Sequence, residues 1–256
     1  MSYVKLIDHM GSDNAICQAA RISYEVSKST DEQLIRYLMR NWHTSPFEMV
    51  EFKFHVKVPI FIARQWLRHR TASVNEISAR YSVLQDGYWS PDVYRTQSLT
   101  NKQGSEGPLE NISTIDADAC CDKAFEVYHA LLEKGVSREL ARTHLPQSTY
   151  TQFIWKIDLH NLFHFLELRM DHHAQDEIKV LANDIFDLIS PIVPFSCKAF
   201  LDYRVGSIRF SAAEIWALQN KGNTSRLSRG EIPEFNKKCF IILGHGANGD
   251  PSDVSN

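Results

Sequence analysis

The sequence predicts an α/β protein of the α+β kind, a mixed sheet with helices that outweigh the strands, followed by a polar C-terminal appendage. Three observations carry this. Residues 50–58 (VEFKFHVKV) alternate strictly, Val50, Phe52, Phe54, Val56 and Val58 apolar against Glu51, Lys53, His55 and Lys57, the period of a half-buried strand. Residues 148–157 (STYTQFIWKI) are dense in β-branched and aromatic side chains and read as a second strand. Elsewhere apolar residues recur at helical spacing. Whether the strands pair parallel or antiparallel is left open.

In chain order, SDNAICQAARISYEV (12–26) predicts a helix, and DEQLIRYLMRNW (31–42) another with Leu34, Ile35, Leu38 and Met39 on one face, broken at Pro46. After the first strand, Pro59 suits a first helical turn, and Ile60, Ala63, Trp66 and Leu67 follow at helical spacing. Extended through RHR, that helix would stack Arg64 over Arg68 and Gln65 over His69. Residues 86–115 are turn-rich and read as irregular. Helical periodicity returns over 116–135, with Gly135 as C-cap, and Ser137 can cap a short helix carrying Arg138 and Arg142. Asp158 is an N-cap for LHNLFHFLELRM (159–170), and a longer helix runs through Ile178, Leu181, Ala182, Ile185 and Leu188. The expected domains are residues 1–205 and an extension, 206–256, whose end is polar enough to be disordered.

Composition narrows the function. A formal net charge of -3 argues against a nucleic-acid binder, which needs a basic excess to displace counterions. The opening MSYVKLIDHM lacks the basic start and apolar core of a signal peptide, and no apolar run reaches membrane-spanning length. The expectation is a cytoplasmic protein with no membrane partner. Five cysteines, an odd number without CxxC spacing, are expected to stay reduced.

Against that mildly acidic background, residues 68–80 (RHRTASVNEISAR) concentrate three arginines, a histidine and a glutamate. Arginine forks match phosphate or carboxylate oxygens two at a time, and Ser73, Asn75, Ser78 and backbone N–H groups can complete an anion cradle. A small phosphate-bearing ligand is the reading these residues favour. Rival sites are weaker. Gly244, Gly246 and Gly249 spell GxGxxG after CFIIL, but only seven residues follow, too few for the helix and acidic residue that a dinucleotide fingerprint requires. His160, His164 and Glu167 share a helical face and could ligate a transition metal, yet HExxH is absent. No metal is expected. Ser73 and Ser78 sit in no nucleophile elbow.

The arginine-rich run also fits RHR-x7-S, with Arg68, His69, Arg70 and Ser78 in register, and AARISY (19–24), HTSPFE (43–48), PIFIARQW (59–66), SRELAR (137–142) and LELRMDHHAQDEI (166–178) accompany it in order. Over roughly residues 10 to 205 the chain thereby resembles the flavin-dependent thymidylate synthases. The resemblance implies that family's fold, a homotetramer binding FAD between subunits, and reductive methylation of dUMP to dTMP with methylenetetrahydrofolate as carbon donor and NADPH as reductant. It implies FAD contacts at Ser45, Arg68, His69, Arg70, Glu76, Asp158, Leu159, His160 and His164. For dUMP it implies Gln65, Trp66, Leu67, Arg68, Glu76, Ile77, Ser78, Ala79, Arg80, Arg142 and Arg169, with Arg169 catalytic. Ser23, His43, Glu48, Tyr81 and His173 resemble secondary members of the flavin and folate pocket. Some members carry Asn, Arg and Asn where this chain has Asp158, His160 and His164. The chemistry is consistent: ionising uracil at N3 needs a nearby guanidinium, and the sequence offers arginines but no convincing catalytic cysteine. Without the resemblance, a nucleotide- or RNA-binding regulator and a metal-dependent hydrolase remain alternatives for the same residues.

Overall fold

The structure, a computed structural model, describes residues 1–22, 29–99, 102–109 and 112–243 and divides into two compact units, 1–205 and 206–256. In the first unit, β1 (Tyr3–Met10), β2 (Glu51–Pro59), β6 (Tyr150–Asp158) and β3 (Ser73–Glu76) form a sheet in the order β1-β2-β6-β3. Every pairing in it is antiparallel, and β2 runs the full length of β6, from Glu51 opposite Asp158 to Pro59 opposite Tyr150. A second, two-stranded sheet pairs β4 (Arg95–Gln97) with β5 (Ser105–Pro108). The mixture is thus of sheet and helix, not of strand directions.

The alternation of residues 50–58 acts as expected. Phe52, Phe54, Val56 and Val58 are fully buried, as are Phe153, Trp155 and Ile157 of β6 to within 2 %. Helices α1 (Asp13–Arg21), α2 (Asp31–Arg40), α3 (Ile60–Trp66), α6 (Leu159–Arg169), α7 (Asp176–Ile189) and α8 (Pro194–Phe200) add Ile16, Ile35, Leu38, Trp66, Leu162, Phe165, Ile178, Ile185 and Phe200 to the same core. Trp66, Trp155 and Phe165 meet with ring centroids 4.8 to 5.2 Å apart, in the offset and edge-on arrangements aromatic pairs prefer. A smaller cluster joins Phe125 and Tyr128 of α4 (Ile115–Glu133) to Ala141 of α5 (Arg138–Ala141). Asp158 caps α6 as predicted, accepting from the Asn161 N–H at 2.9 Å.

Several local expectations need correction. Strand β1 was not signalled by the sequence, because most of it is exposed and its pattern does not alternate. The supposedly irregular 86–115 contains the β4-β5 pair. Ser137 precedes α5 without a side-chain cap bond. Helix α3 stops at Trp66, so Arg68 and His69 lie beyond it and the proposed polar ladders do not form on one helix. In the second unit, α9 (Ala212–Gln219) and α10 (Glu231–Leu243) enclose Ala217, Leu227, Phe235 and Cys239. The CFIIL run therefore ends a helix, where a dinucleotide fingerprint needs a strand. The expected disorder falls on residues 244–256, outside the described residues.

Candidate functional site

The sheet order explains how the RHR run meets α6. Strand β3 pairs with β6, Ser73 opposite Lys156 and Glu76 opposite Phe153, and β6 passes directly into α6 at Asp158. The six residues between α3 and β3 are thereby held beside α6. There Arg68, His69, Arg70 and Thr71 line a cavity of about 520 Å³ with Ile157, Asn161, His164, Leu168 and Arg169. Three guanidiniums line it, and no carboxylate does among the described residues.

Arg169 is tied into place from two sides. Its Nε–H donates to His69 Nε2 at 3.2 Å, and its Nη2 donates to the Gln65 carbonyl at 3.3 Å. Gln65 in turn bonds Gln175 at 2.6 Å. Burial, with Arg169 and His164 adding positive field, pushes the His69 pKa down to about 4. His69 is therefore a neutral imidazole at pH 7, and accepting at Nε2 places its proton on Nδ1. Burial, then Arg68, lowers the pKa of Arg169, but a guanidinium stays protonated. A charged donor with a fixed orientation is thus set in a cavity rich in positive charge, which can host an anion or stabilise charge developing on a neutral ring.

A second cavity, of about 300 Å³, is lined by Leu38, Met39, Trp42, His43, Thr44, Phe47, His160, Asn161, Phe163, His164, Glu167 and Arg204. It shares Asn161 and His164 with the first. The helical spacing of His160, His164 and Glu167 therefore directs all three to one cavity. They do not converge as metal ligands: among the described residues, the ligand atoms that do so belong to the exposed Asp171, His172 and His173, where His173 Nδ1 lies 2.9 Å from Asp171.

Of the residues singled out from sequence, the cavities of this single chain gather Arg68, His69, Arg70, Arg169, His43, His160, His164 and Glu167. The side chains of Trp66 and Leu159 are fully buried in the core, leaving only main-chain atoms for a ligand. Gln65 reaches Arg169 through its carbonyl, and Leu67 caps α3. Glu76 accepts from Thr151 Oγ1 at 2.5 Å, Ser78 accepts from the Arg80 N–H, and Arg80 pairs with Glu139 at 3.1 Å on an exposed edge. Ile77 and Ala79 flank them, Ala79 buried. Ser45, Glu48, Tyr81, Arg142 and His173 are exposed, Asp158 is occupied as the α6 cap, and Ser23 lies outside the described residues. Sequence reading missed Asn161, Thr71, Trp42 and Arg204. Asn161 was findable as the residue three beyond a capping aspartate; the others carry no local signal.

All five cysteines are free. Burial pushes Cys17 to about 11 and Cys197 to about 12, so neither is a thiolate at neutral pH.

The sequence pattern defining the thymidylate synthase complementing protein family matches residues 5–195. A flavin-dependent thymidylate synthase of Dictyostelium discoideum is 53% identical, the match covering 91% of this chain and 79% of that one. One from Thermus thermophilus is 48% identical, covering 96% and 89%. Among solved structures, a UMP/dUMP methylase, PolB from Streptomyces cacaoi bound with 5-Br dUMP, superposes with a TM-score of 0.74 at 33% identity, over 80% of this chain and 96% of that chain.

Proposed function

This chain belongs to the thymidylate synthase complementing protein family, the flavin-dependent thymidylate synthases, and from that premise we propose that it converts dUMP to dTMP by reductive methylation. The carbon donor is methylenetetrahydrofolate and the reductant NADPH. The observation that carries this reading is Arg169, held by His69 and the Gln65 carbonyl in a cavity with Arg68 and Arg70.

FAD fits the donors present. Arg68, His69 and Arg70 with His160 and His164 would hold it, matching cationic and imidazole donors to its diphosphate and ring edge. When bound, it supplies the hydride that completes the methyl group. The chain's own residues do the remainder. Arg68, with Ser78, Arg80 and Arg142, would neutralise the dUMP phosphate, which fixes the pyrimidine's position. Arg169 would lie against the uracil and stabilise negative charge at N3 and O4, raising electron density at C5 for attack on the methylene carbon. It needs no proton transfer of its own. Neutral His69 keeps Arg169 from relaxing toward solvent while adding no competing positive charge.

The exposure of Glu76, Arg80, Arg142, Ser45, Glu48 and His173 in the single chain supports a homotetramer, with each site completed by neighbouring copies. Residues 1–205 make up the synthase domain and 206–256 an extension. No described helix is long and apolar enough to cross a membrane, which is compatible with a cytoplasmic location. The test is direct. The purified full chain should carry a flavin absorption spectrum and form dTMP from dUMP, methylenetetrahydrofolate and NADPH. A colourless protein that binds no added FAD would overturn the reading.

A further inference from the structure

Trp42 and Arg204 have no role in the site described so far, yet both line the 300 Å³ cavity with His43, His160 and His164. Two irregularities of the backbone meet there. After α2, the His43 N–H bonds the Leu38 carbonyl at 3.0 Å and the Trp42 N–H bonds that of Met39 at 3.3 Å, the pattern of a helix end whose left-handed position is ordinarily glycine. Here that position is Trp42, with φ of 60°, an outlier for so bulky a residue. Arg204 stands on a π-helical turn, Leu201–Val205, a distortion found frequently at functional sites. The two side chains meet: the Arg204 Cζ lies 3.1 Å from the centroid of the Trp42 ring.

A tryptophan tolerated where glycine would relax the chain implies that its ring is needed where it stands. Stacking on an indole holds a guanidinium by its face, and donation from its edge remains geometrically compatible with that. We infer that Trp42 and Arg204 form a ligand-binding wall, in which the indole orients the guanidinium to hold an oxyanion of a cofactor or co-substrate. The inference rests on the flavin-dependent reading above. The diphosphate of FAD is the first source of that oxyanion, because the cavity joins the arginine-lined one at Asn161 and His164 and a dinucleotide is long enough to occupy both. The glutamate carboxylates of the folate are the second.

The test uses the full chain stripped of flavin, with Trp42→Gly, Arg204→Ala and Arg204→Lys compared with wild type. FAD and riboflavin, which lacks phosphate, are titrated against each, and the KM for methylenetetrahydrofolate is measured. Trp42→Gly and Arg204→Ala should each weaken FAD binding by about tenfold or more, the scale of a lost charge-assisted hydrogen bond, and leave riboflavin within about twofold. Arg204→Lys should rescue part of the loss. The thermal midpoint of ligand-free Trp42→Gly should equal or exceed wild type, since glycine fits the left-handed position. Unchanged FAD affinity with a similar rise in the folate KM assigns the wall to the carboxylates. Unchanged values for both, an equal loss of riboflavin, or a lowered ligand-free midpoint would overturn the inference. Wild-type protein that binds no FAD would instead remove the flavin reading on which it stands.

Discussion

The Nε–H of Arg169 donates across 3.2 Å to Nε2 of His69, a residue one hundred positions earlier in the chain. That bond joins the loop after α3 to the last turn of α6, and it can form only while the imidazole is neutral, because protonated Nε2 has no lone pair to accept. The pH behaviour of the fold follows from it.

Folded His69 has its pKa lowered to about 4 from 6.5, so between those values the unfolded chain binds the extra proton. Stability from this group is therefore fully present above about pH 6.5 and is lost as pH falls toward 4, by about 3 kcal/mol. His69→Gln removes the titrating group and should flatten that part of the profile. Urea unfolding of both proteins from pH 7 to pH 4 checks this; parallel profiles would assign the loss to other groups.

Asp13 is buried and accepts from the Phe195 N–H at 2.7 Å, the Ser196 N–H at 3.1 Å and the Ser196 hydroxyl at 2.6 Å. It closes the start of α8 from a residue in α1. Asp13→Ala leaves those donors unsatisfied and should cost about 2 to 3 kcal/mol, with Asp13→Asn recovering part. Equilibrium unfolding measures both, and a cost below about 0.5 kcal/mol, as at an ordinary surface site, would contradict the capping role.

How much of this was legible depended on whether the physics was local. The alternation of Val50 to Val58 and the capping by Asp158 depend on neighbours in sequence, and both stand as read. Strand β1 did not show because most of its side chains are exposed, and β3 because its identity as a strand comes only from pairing with β6. The site divides in the same way. The RHR run announces itself by charge density, while the contact of Arg169 with His69 arises from the sheet order β2-β6-β3, which no local pattern specifies. Trp42 and Arg204 were invisible for the same reason.

The glycine pattern at 244–249 follows helix α10, so it lacks the strand that a pyrophosphate loop requires. Deleting residues 247–256 leaves Phe235 and Cys239, the buried residues of α10, in place. NADPH-dependent flavin reduction in the truncated protein should stay within about twofold of the full chain, as for removal of a polar tail. Loss of reduction in a truncated protein that still unfolds cooperatively would show that this tail handles the nucleotide.

The account turns on Arg169 as the group that stabilises charge on the pyrimidine, and one paired measurement tests it most directly: stopped-flow reduction of the flavin by NADPH, and single-turnover dTMP formation by pre-reduced enzyme at saturating dUMP. Arg169→Ala should slow dTMP formation by about a hundredfold or more, as losing a preorganised donor does, while flavin reduction persists. Arg169→Lys keeps charge without the planar fork and should recover only part. Wild-type dTMP formation by Arg169→Ala would contradict the account, and loss of both half-reactions would reduce Arg169 to a residue that holds the loop and the flavin.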